Sequence, residues 1–182
     1  MHNKKILFQA KDFDGWKSLN DTVMGGKSMA ICESSNSGLI LKGNIVEKGG
    51  GFVSCRSSKI DPPLNLSNYS NFELKIDGQG RTFKFAVACK DDFLGLTEFI
   101  PGGLRWIKSF PTNNFGTTIV KIPFKDLKPS IRAGKVNFPF KFRSSSVKRL
   151  QLLHSKFGDE GRLNDKFRAG SIKLLLKSIS VF

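Results

Sequence analysis

Short stretches of alternating apolar and polar residues dominate the chain. Phe72, Leu74 and Ile76 alternate with Glu73, Lys75 and Asp77, and Phe83, Phe85, Val87 and Cys89 alternate with Thr82, Lys84, Ala86 and Ala88. A period of two places each apolar set on one face of a strand. Gly78-Gln79-Gly80 between the runs predicts a hairpin, because glycine takes positive φ in a tight turn without steric penalty. Further strands are expected over 29–33, 39–43, 51–57, 104–110, 117–123, 147–154 and 172–182. Clusters such as Asn36-Ser37-Gly38 and Pro111-Thr112-Asn113-Asn114 punctuate them. About ten short strands without a sustained helical period predict an antiparallel sandwich. One helical turn is expected at Lys125-Asp126-Leu127, after Pro123. With no internal repeat, linker or composition break, the pattern reads as one domain over 1–182.

Charge changes this picture. Lys and Arg number 30 against 15 Asp and Glu, a formal net charge of +15. Residues 1–120 carry 15 cations and 11 acids, whereas 121–182 carry 15 and 4. Over 121–149 the cations face a single acid, Asp126. Such asymmetry favours an anionic partner: nucleic acid, anionic lipid or an acidic protein surface. A composition bias toward Lys would raise Glu as well, yet there are only five Glu. The 39% hydrophobic content is too high for a disordered polycation. No apolar run approaches the ~20 residues of a transmembrane helix. The apolar stretch after Lys4-Lys5 is likewise shorter than a secretory segment needs, which predicts an intracellular location.

Cys32, Cys55 and Cys89 match no zinc spacing and lie in strand-like stretches, where cysteine behaves as a small core residue. They are expected to be reduced, in a reducing compartment. His154 ends the run Leu150-Gln151-Leu152-Leu153 and reads as a half-buried strand histidine. It is the only plausible base for a hydrolytic triad. Asp91-Asp92 reads as a solvated turn, since adjacent strand residues face opposite ways. Gly78-Gln79-Gly80, Gly49-Gly50-Gly51 and Gly102-Gly103 lack the strand–loop–helix setting of phosphate loops and read as turns. No catalysis, metal or cofactor is expected.

The stretch Trp16-Lys17-Ser18-Leu19-Asn20-Asp21-Thr22-Val23-Met24-Gly25-Gly26-Lys27-Ser28 is more specific. Asn, Asp, Thr and Ser around paired glycines make a loop held by side-chain-to-backbone hydrogen bonds, or one that binds a ligand. Its wording resembles the signature of the complex I intermediate-associated protein 30 family. Further similarities follow in order: Gly49-Gly50-Gly51-Phe52-Val53-Ser54-Cys55-Arg56, Leu66-Ser67-Asn68-Tyr69 and Leu74-Lys75-Ile76-Asp77-Gly78-Gln79-Gly80-Arg81. Ile122-Pro123-Phe124, Leu127, Pro129 and Arg132 complete the series. Arg132-Ala133-Gly134 departs from the Arg-Gly expected there. The resemblance runs from about residue 8 to the C-terminus.

That resemblance implies a galactose-binding-like jelly roll and a non-catalytic, chaperone-like role in assembling a membrane electron-transfer complex, respiratory complex I-like or photosynthetic. Its partners would be protein subunits of that complex, with the domain peripheral to a membrane. The binding candidates are Asn20, Asp21, Met24, Gly25, Gly26 and Ser28, with Arg56 and Arg81 as charged partners. An Asp21–Arg56 pair would hold the loop. Lys135, Lys141, Arg143, Lys148 and Arg149 are the candidate surface for an anionic partner, including an anionic membrane. Phe138-Pro139-Phe140-Lys141-Phe142-Arg143 is expected as a strand with a buried Phe face and a basic back, and Trp106 as a core residue. An exposed Phe face would instead suit RNA, which makes an RNA-binding or translation-linked module the alternative. A carbohydrate-binding module ranks third, because the chain has one Tyr and two Trp for sugar stacking and a net charge of no use to neutral sugars.

Overall fold

The alternating runs form strands in two facing antiparallel sheets, thirteen strands among the described residues. A computed structural model describes residues 3–90, 103–132 and 134–182; Asp91-Asp92 and Gly102 lie outside them. One sheet contains β3 (Met29–Ser35), β4 (Gly38–Ile45), β13 (Gly170–Val181), β6 (Asn71–Asp77) and β9 (Thr118–Pro123), in that order. β1 (Lys5–Gln9) also pairs with β13, beyond the stretch that β4 covers. The order in the other sheet is β11 (Gly134–Lys135), β10 (Lys128–Ile131), β8 (Arg105–Pro111), β7 (Thr82–Cys89), β12 (Val147–Ser155), β5 (Phe52–Arg56) and β2 (Lys17–Ser18).

The apolar phase of each central strand meets the other sheet. Phe72, Leu74 and Ile76 pack in one core cluster with Phe83, Phe85, Val87, Leu150 and Leu152. Two bulges keep long strands in phase with this core. On β13, Ile172, Leu174 and Leu176 point inward, and a register shift between Leu176 and Ser178 returns Ile179 and Val181 to the same face. On β12 a shift between Val147 and Arg149 does the same for Leu150 and Leu152. Without the extra residue, strict alternation would turn the second half of each strand outward.

The hairpin expected at Gly78-Gln79-Gly80 is not formed. β6 pairs with β13 and β9, whereas β7 pairs with β12 and β8. The glycine connection therefore crosses between the sheets, with Gln79 and Gly80 at positive φ. The two strands face each other through their side chains, and the Phe72 and Phe85 rings lie 5.1 Å apart. The alternation had specified an inward face for both strands; a shared sheet and an arch satisfy that demand equally well.

β1, β2, β10 and β11 were not foreseen. Each has five residues or fewer, too few for a periodic signal. The turn after Pro123 is present over Phe124–Asp126 as a 3-10 turn. Segment 138–143 is not a strand. Its rings instead make separate contacts: Phe142 packs on Trp106 and Phe124 at 5.7 and 5.4 Å, while Phe138 rests on Phe140 at 4.7 Å and stays 57% exposed. Phe140 and Phe142 pack against the main core from an irregular segment, so their burial does not require a strand.

The cysteine reading is also corrected. Cys32 on β3 and Cys55 on β5 form a disulfide that ties one sheet to the other, with Cα atoms 5.9 Å apart. Both point into the sandwich, so the approach of two sheets brings together residues 23 apart in sequence. Cys89 is free, and burial pushes its thiol up to about 11. The cysteines therefore give no support to a reducing compartment. Reduction of the Cys32–Cys55 bond is expected to lower unfolding free energy by about 2–4 kcal/mol, read as a shift in urea midpoint; a Cys32→Ala/Cys55→Ala chain should show the same loss and no further response to reductant.

Candidate functional site

The loop singled out in the sequence is built around one buried carboxylate. A 3-10 turn over Asp21–Met24 ends at Gly25, whose φ of 84° is left-handed. Asp21 is 0% exposed. Its Oδ1 accepts from Ser28 N (2.9 Å), and its Oδ2 accepts from Ser28 Oγ (2.6 Å), Gly51 N (2.7 Å) and Phe52 N (3.3 Å). Ser28 Oγ in turn accepts from Val46 N at 2.9 Å. Burial pushes the carboxyl up, but the Ser28 hydroxyl and the three backbone N–H groups outweigh it and hold it below its ordinary value. The paired glycines follow from this packing. A Cβ on Gly26 would come within 2.4 Å of the Asp21 carboxyl, and one on Gly50 likewise. Arg56 does not pair with Asp21; neutral donors already satisfy the carboxylate.

Asp21 faces inward while Val23 and Met24 face out, 66% and 71% exposed. They rim a groove of about 990 Å³ on the outer face of the seven-stranded sheet. Beneath it Ala86, Ile107 and Leu153 form a small buried cluster separate from the main core. Cross-strand register arranges the face in rows. Arg56, Gln151, Ala86 and Ile107 form one row; Ser54, Leu153, Lys84 and Ser109 form the next. On the other side Arg149 stands opposite Ala88.

The groove is cationic. Arg56, Lys59, Lys84, Arg105, Arg132, Lys148 and Arg149 line it, and no Asp or Glu does among the described residues. Arg105 donates from Nη1 to Gln151 Oε1 (2.6 Å), Gln151 Nε2 donates to Ser54 Oγ (2.9 Å), and that hydroxyl donates to Leu19 O (2.6 Å). Burial, with Arg56 nearby, lowers the pKa of both Arg105 and Arg149. Lys84 falls to about 8, through burial and Arg105, against a smaller opposing pull from Asp159. Asp159 itself accepts from Ser109 N and Oγ at 3.1 and 2.7 Å.

The structure thus brings Met24, Arg56, Lys148 and Arg149 to one groove, with Asp21, Gly25, Gly26 and Ser28 supporting its rim. Asn20 donates to Ala30 O at 2.9 Å, inside the loop's own framework. Arg81 is elsewhere. It donates to Ser171 O at 2.8 Å and lines a second cavity of about 710 Å³ with Asp77, Asn114 and Arg168. Lys135, Lys141 and Arg143 are exposed but do not line the groove. Lys59, Lys84, Arg105, Arg132 and Gln151 were missed. Lys84 had a readable signal, a lone cation between small residues in the outward phase of Thr82-Lys84-Ala86-Ala88; the others are scattered along the chain. His154 is 0% exposed and wedged between Phe83 and Phe167. Its Nδ1 lies 3.0 Å from Thr82 O and its Nε2 accepts from Arg168 N at 3.4 Å. That arrangement suits a neutral ring donating through Nδ1.

A two-sheet antiparallel sandwich defines the class, and solved structures share that fold. The family 11 carbohydrate-binding module of cellulosomal cellulase Lic26A-Cel5E of Clostridium thermocellum superimposes with a TM-score of 0.66 at 13% identity, over 99% of this chain and 94% of that one. A family 30 carbohydrate-binding module gives 0.54 at 14%, over 98% and 87%. An agarase, AgWH50C, gives 0.55 at 8%, over 97% of this chain but 24% of that one. At these identities the likeness is one of fold. No curated protein matches in sequence. A family model does: complex I intermediate-associated protein 30 (CIA30) matches residues 6–176. The chain belongs to this family.

Removing the buried carboxylate, as in Asp21→Ala, strands three backbone N–H groups. The expected loss is about 3 kcal/mol in urea unfolding, and Gly50→Ala should cost about 1–3 kcal/mol by overpacking the same spot.

Burial lowers the His154 pKa from 6.5 to about 4, with a partial offset from the Thr82 carbonyl. Between these values the unfolded chain holds the extra proton. Stability from the neutral ring is therefore complete above about pH 6.5 and declines by roughly 3 kcal/mol as pH falls toward 4. Asp21, with its depressed pKa, adds a loss of the same sign at lower pH. Urea midpoints taken from neutral pH downward should show this slope, and His154→Leu should flatten the upper part of it.

Proposed function

We propose that this protein is a non-catalytic, chaperone-like assembly factor for a membrane electron-transfer complex, respiratory complex I-like or photosynthetic. It binds protein subunits through the groove of the seven-stranded sheet. Family membership supports the role. The groove carries the reading: four arginines and three lysines without a lining acid among the described residues, beside exposed Val23 and Met24 on an anchored rim. Arg and Met are enriched at protein interfaces, where Arg supplies planar, weakly hydrated cationic contacts and Met adapts its shape. The buried cluster under the groove and the Arg105–Gln151–Ser54 chain keep this face rigid, which lowers the ordering cost of binding.

No helix among the described residues is long and apolar enough to cross a membrane. On this reading the domain meets its complex at the membrane surface, with exposed Lys135, Lys141 and Arg143 toward anionic lipid. RNA binding is the second reading. It is favoured by the exposed Phe138 ring, tilted against Phe140, next to Lys141 and Arg143.

Affinity capture from cells, with and without nuclease, tests both. Subunits or intermediates of a membrane complex should be recovered despite nuclease, and Arg56→Glu/Arg149→Glu should reduce their yield about tenfold, the effect of ~1.4 kcal/mol. Recovery of ribosomal RNA alone, lost on nuclease treatment, would overturn the assembly role.

A further inference from the structure

The outer face of the seven-stranded sheet carries a repeat that the assembly role does not by itself require. Successive rows along the strands each hold a cation: Arg149 in the first, Arg56 in the second, Lys84 in the third. Rows on one sheet face are two residues apart, ~6.6 Å along the strand. Alternate side chains of any extended polypeptide recur at that same interval, so carboxylates at every second residue meet successive rows.

Three further observations narrow the occupant. Arg105 has its Nη1 engaged by Gln151, while its Nε is buried without a hydrogen-bond partner among the described residues. Like-charged neighbours surround this guanidinium, and an anion would relieve both deficits. Apolar residues are interleaved with the cations: Leu19, Val23, Met24, Leu104 and Leu153. A sugar–phosphate backbone would leave these uncovered, whereas apolar side chains between acidic ones would bury them. Finally, neither Trp16 nor Trp106 nor Tyr69 lines the groove, and both tryptophans are buried. The broad polar-tipped rings that stack on sugars are therefore lacking from this face.

We infer that the groove takes an extended acidic segment of a partner protein, its carboxylates on Arg149, Arg56 and Lys84 in successive rows, with Arg105 beside the first, and its intervening apolar side chains against Leu153 and the Val23–Met24 rim. The inference rests on the assembly reading for the kind of partner and goes beyond it in naming the segment recognised. Bidentate guanidinium–carboxylate pairing supplies orientation, and the apolar contacts supply selectivity against a plain polyanion.

Fluorescence anisotropy of the full chain with labelled synthetic peptides tests it. A peptide alternating Glu with Leu should bind, weaken with salt, and bind at least about tenfold tighter than Gln–Leu or Glu–Ser counterparts. Arg149→Glu and Met24→Ser should each cost about tenfold. Lys59→Glu should weaken binding as well, and because Lys59 is exposed this change leaves folding intact. Lys173→Glu, exposed on the other sheet, should change nothing. Equal binding of Gln–Leu or of Glu–Ser would overturn the inference, as would single-stranded RNA of matched charge binding as tightly. If the acidic peptide fails while groove-dependent capture of membrane subunits persists, the segment is wrong and the assembly role stands. If the peptide binds and capture recovers no such subunit, the assembly role falls and the ligand class stands.

Discussion

Everything at the loop end of this sandwich depends on a carboxylate removed from water and held by neutral donors. Among the described residues no Lys or Arg pairs with Asp21. Its charge persists because Ser28, Gly51 and Phe52 each aim a hydrogen at it, and because an unpaired charge in that position would cost several kcal/mol. The carboxylate therefore joins two stretches distant in sequence, the 21–28 loop and the 46–52 segment, which it holds at Gly51 and Phe52 directly and at Val46 through Ser28 Oγ. Gly26 and Gly50 have no side chain because the carboxyl occupies the space where one would be. A loop anchored so firmly on one side can leave Val23 and Met24 exposed on the other without collapsing onto them.

The same division between inside and outside organises the sheet beneath. Inward residues make one continuous core, tied across by the Cys32–Cys55 bond. Outward residues of β5, β7, β8 and β12 make a second, smaller surface, with alanines at its centre and long cations around them. Ala86 and Ala88 leave room that larger residues would fill, and Arg149, Arg105 and Lys84 stand around that room. Their lowered pKa values record a standing electrostatic cost. On the proposed reading, a bound anion would offset this cost.

Much of this was legible in order along the chain. The inward phases of β6 and β7 were visible in Phe72, Leu74, Ile76, Phe83, Phe85 and Val87, and the loop in its density of capping residues and glycines. Partnership was not legible. The glycine turn between β6 and β7 reads the same whether the strands pair or arch, and Cys32 and Cys55 show no spacing that announces a bond. The net charge of the last third drew attention to 121–149, yet of its cations Arg132, Lys148 and Arg149 line the groove; Arg56, Lys59, Lys84 and Arg105 join them from earlier strands.

The sequence alone determined the all-β class, the face each central strand turns inward, and the family signature around Asp21, because these rest on local periodicity and local hydrogen-bonding chemistry. Only the tertiary structure decided which sheet each strand joins, that two cysteines meet, and that scattered cations share one groove. Those outcomes depend on strand pairing between residues tens of positions apart. Pairing is settled by the simultaneous packing of both sheets, and no single segment carries that information.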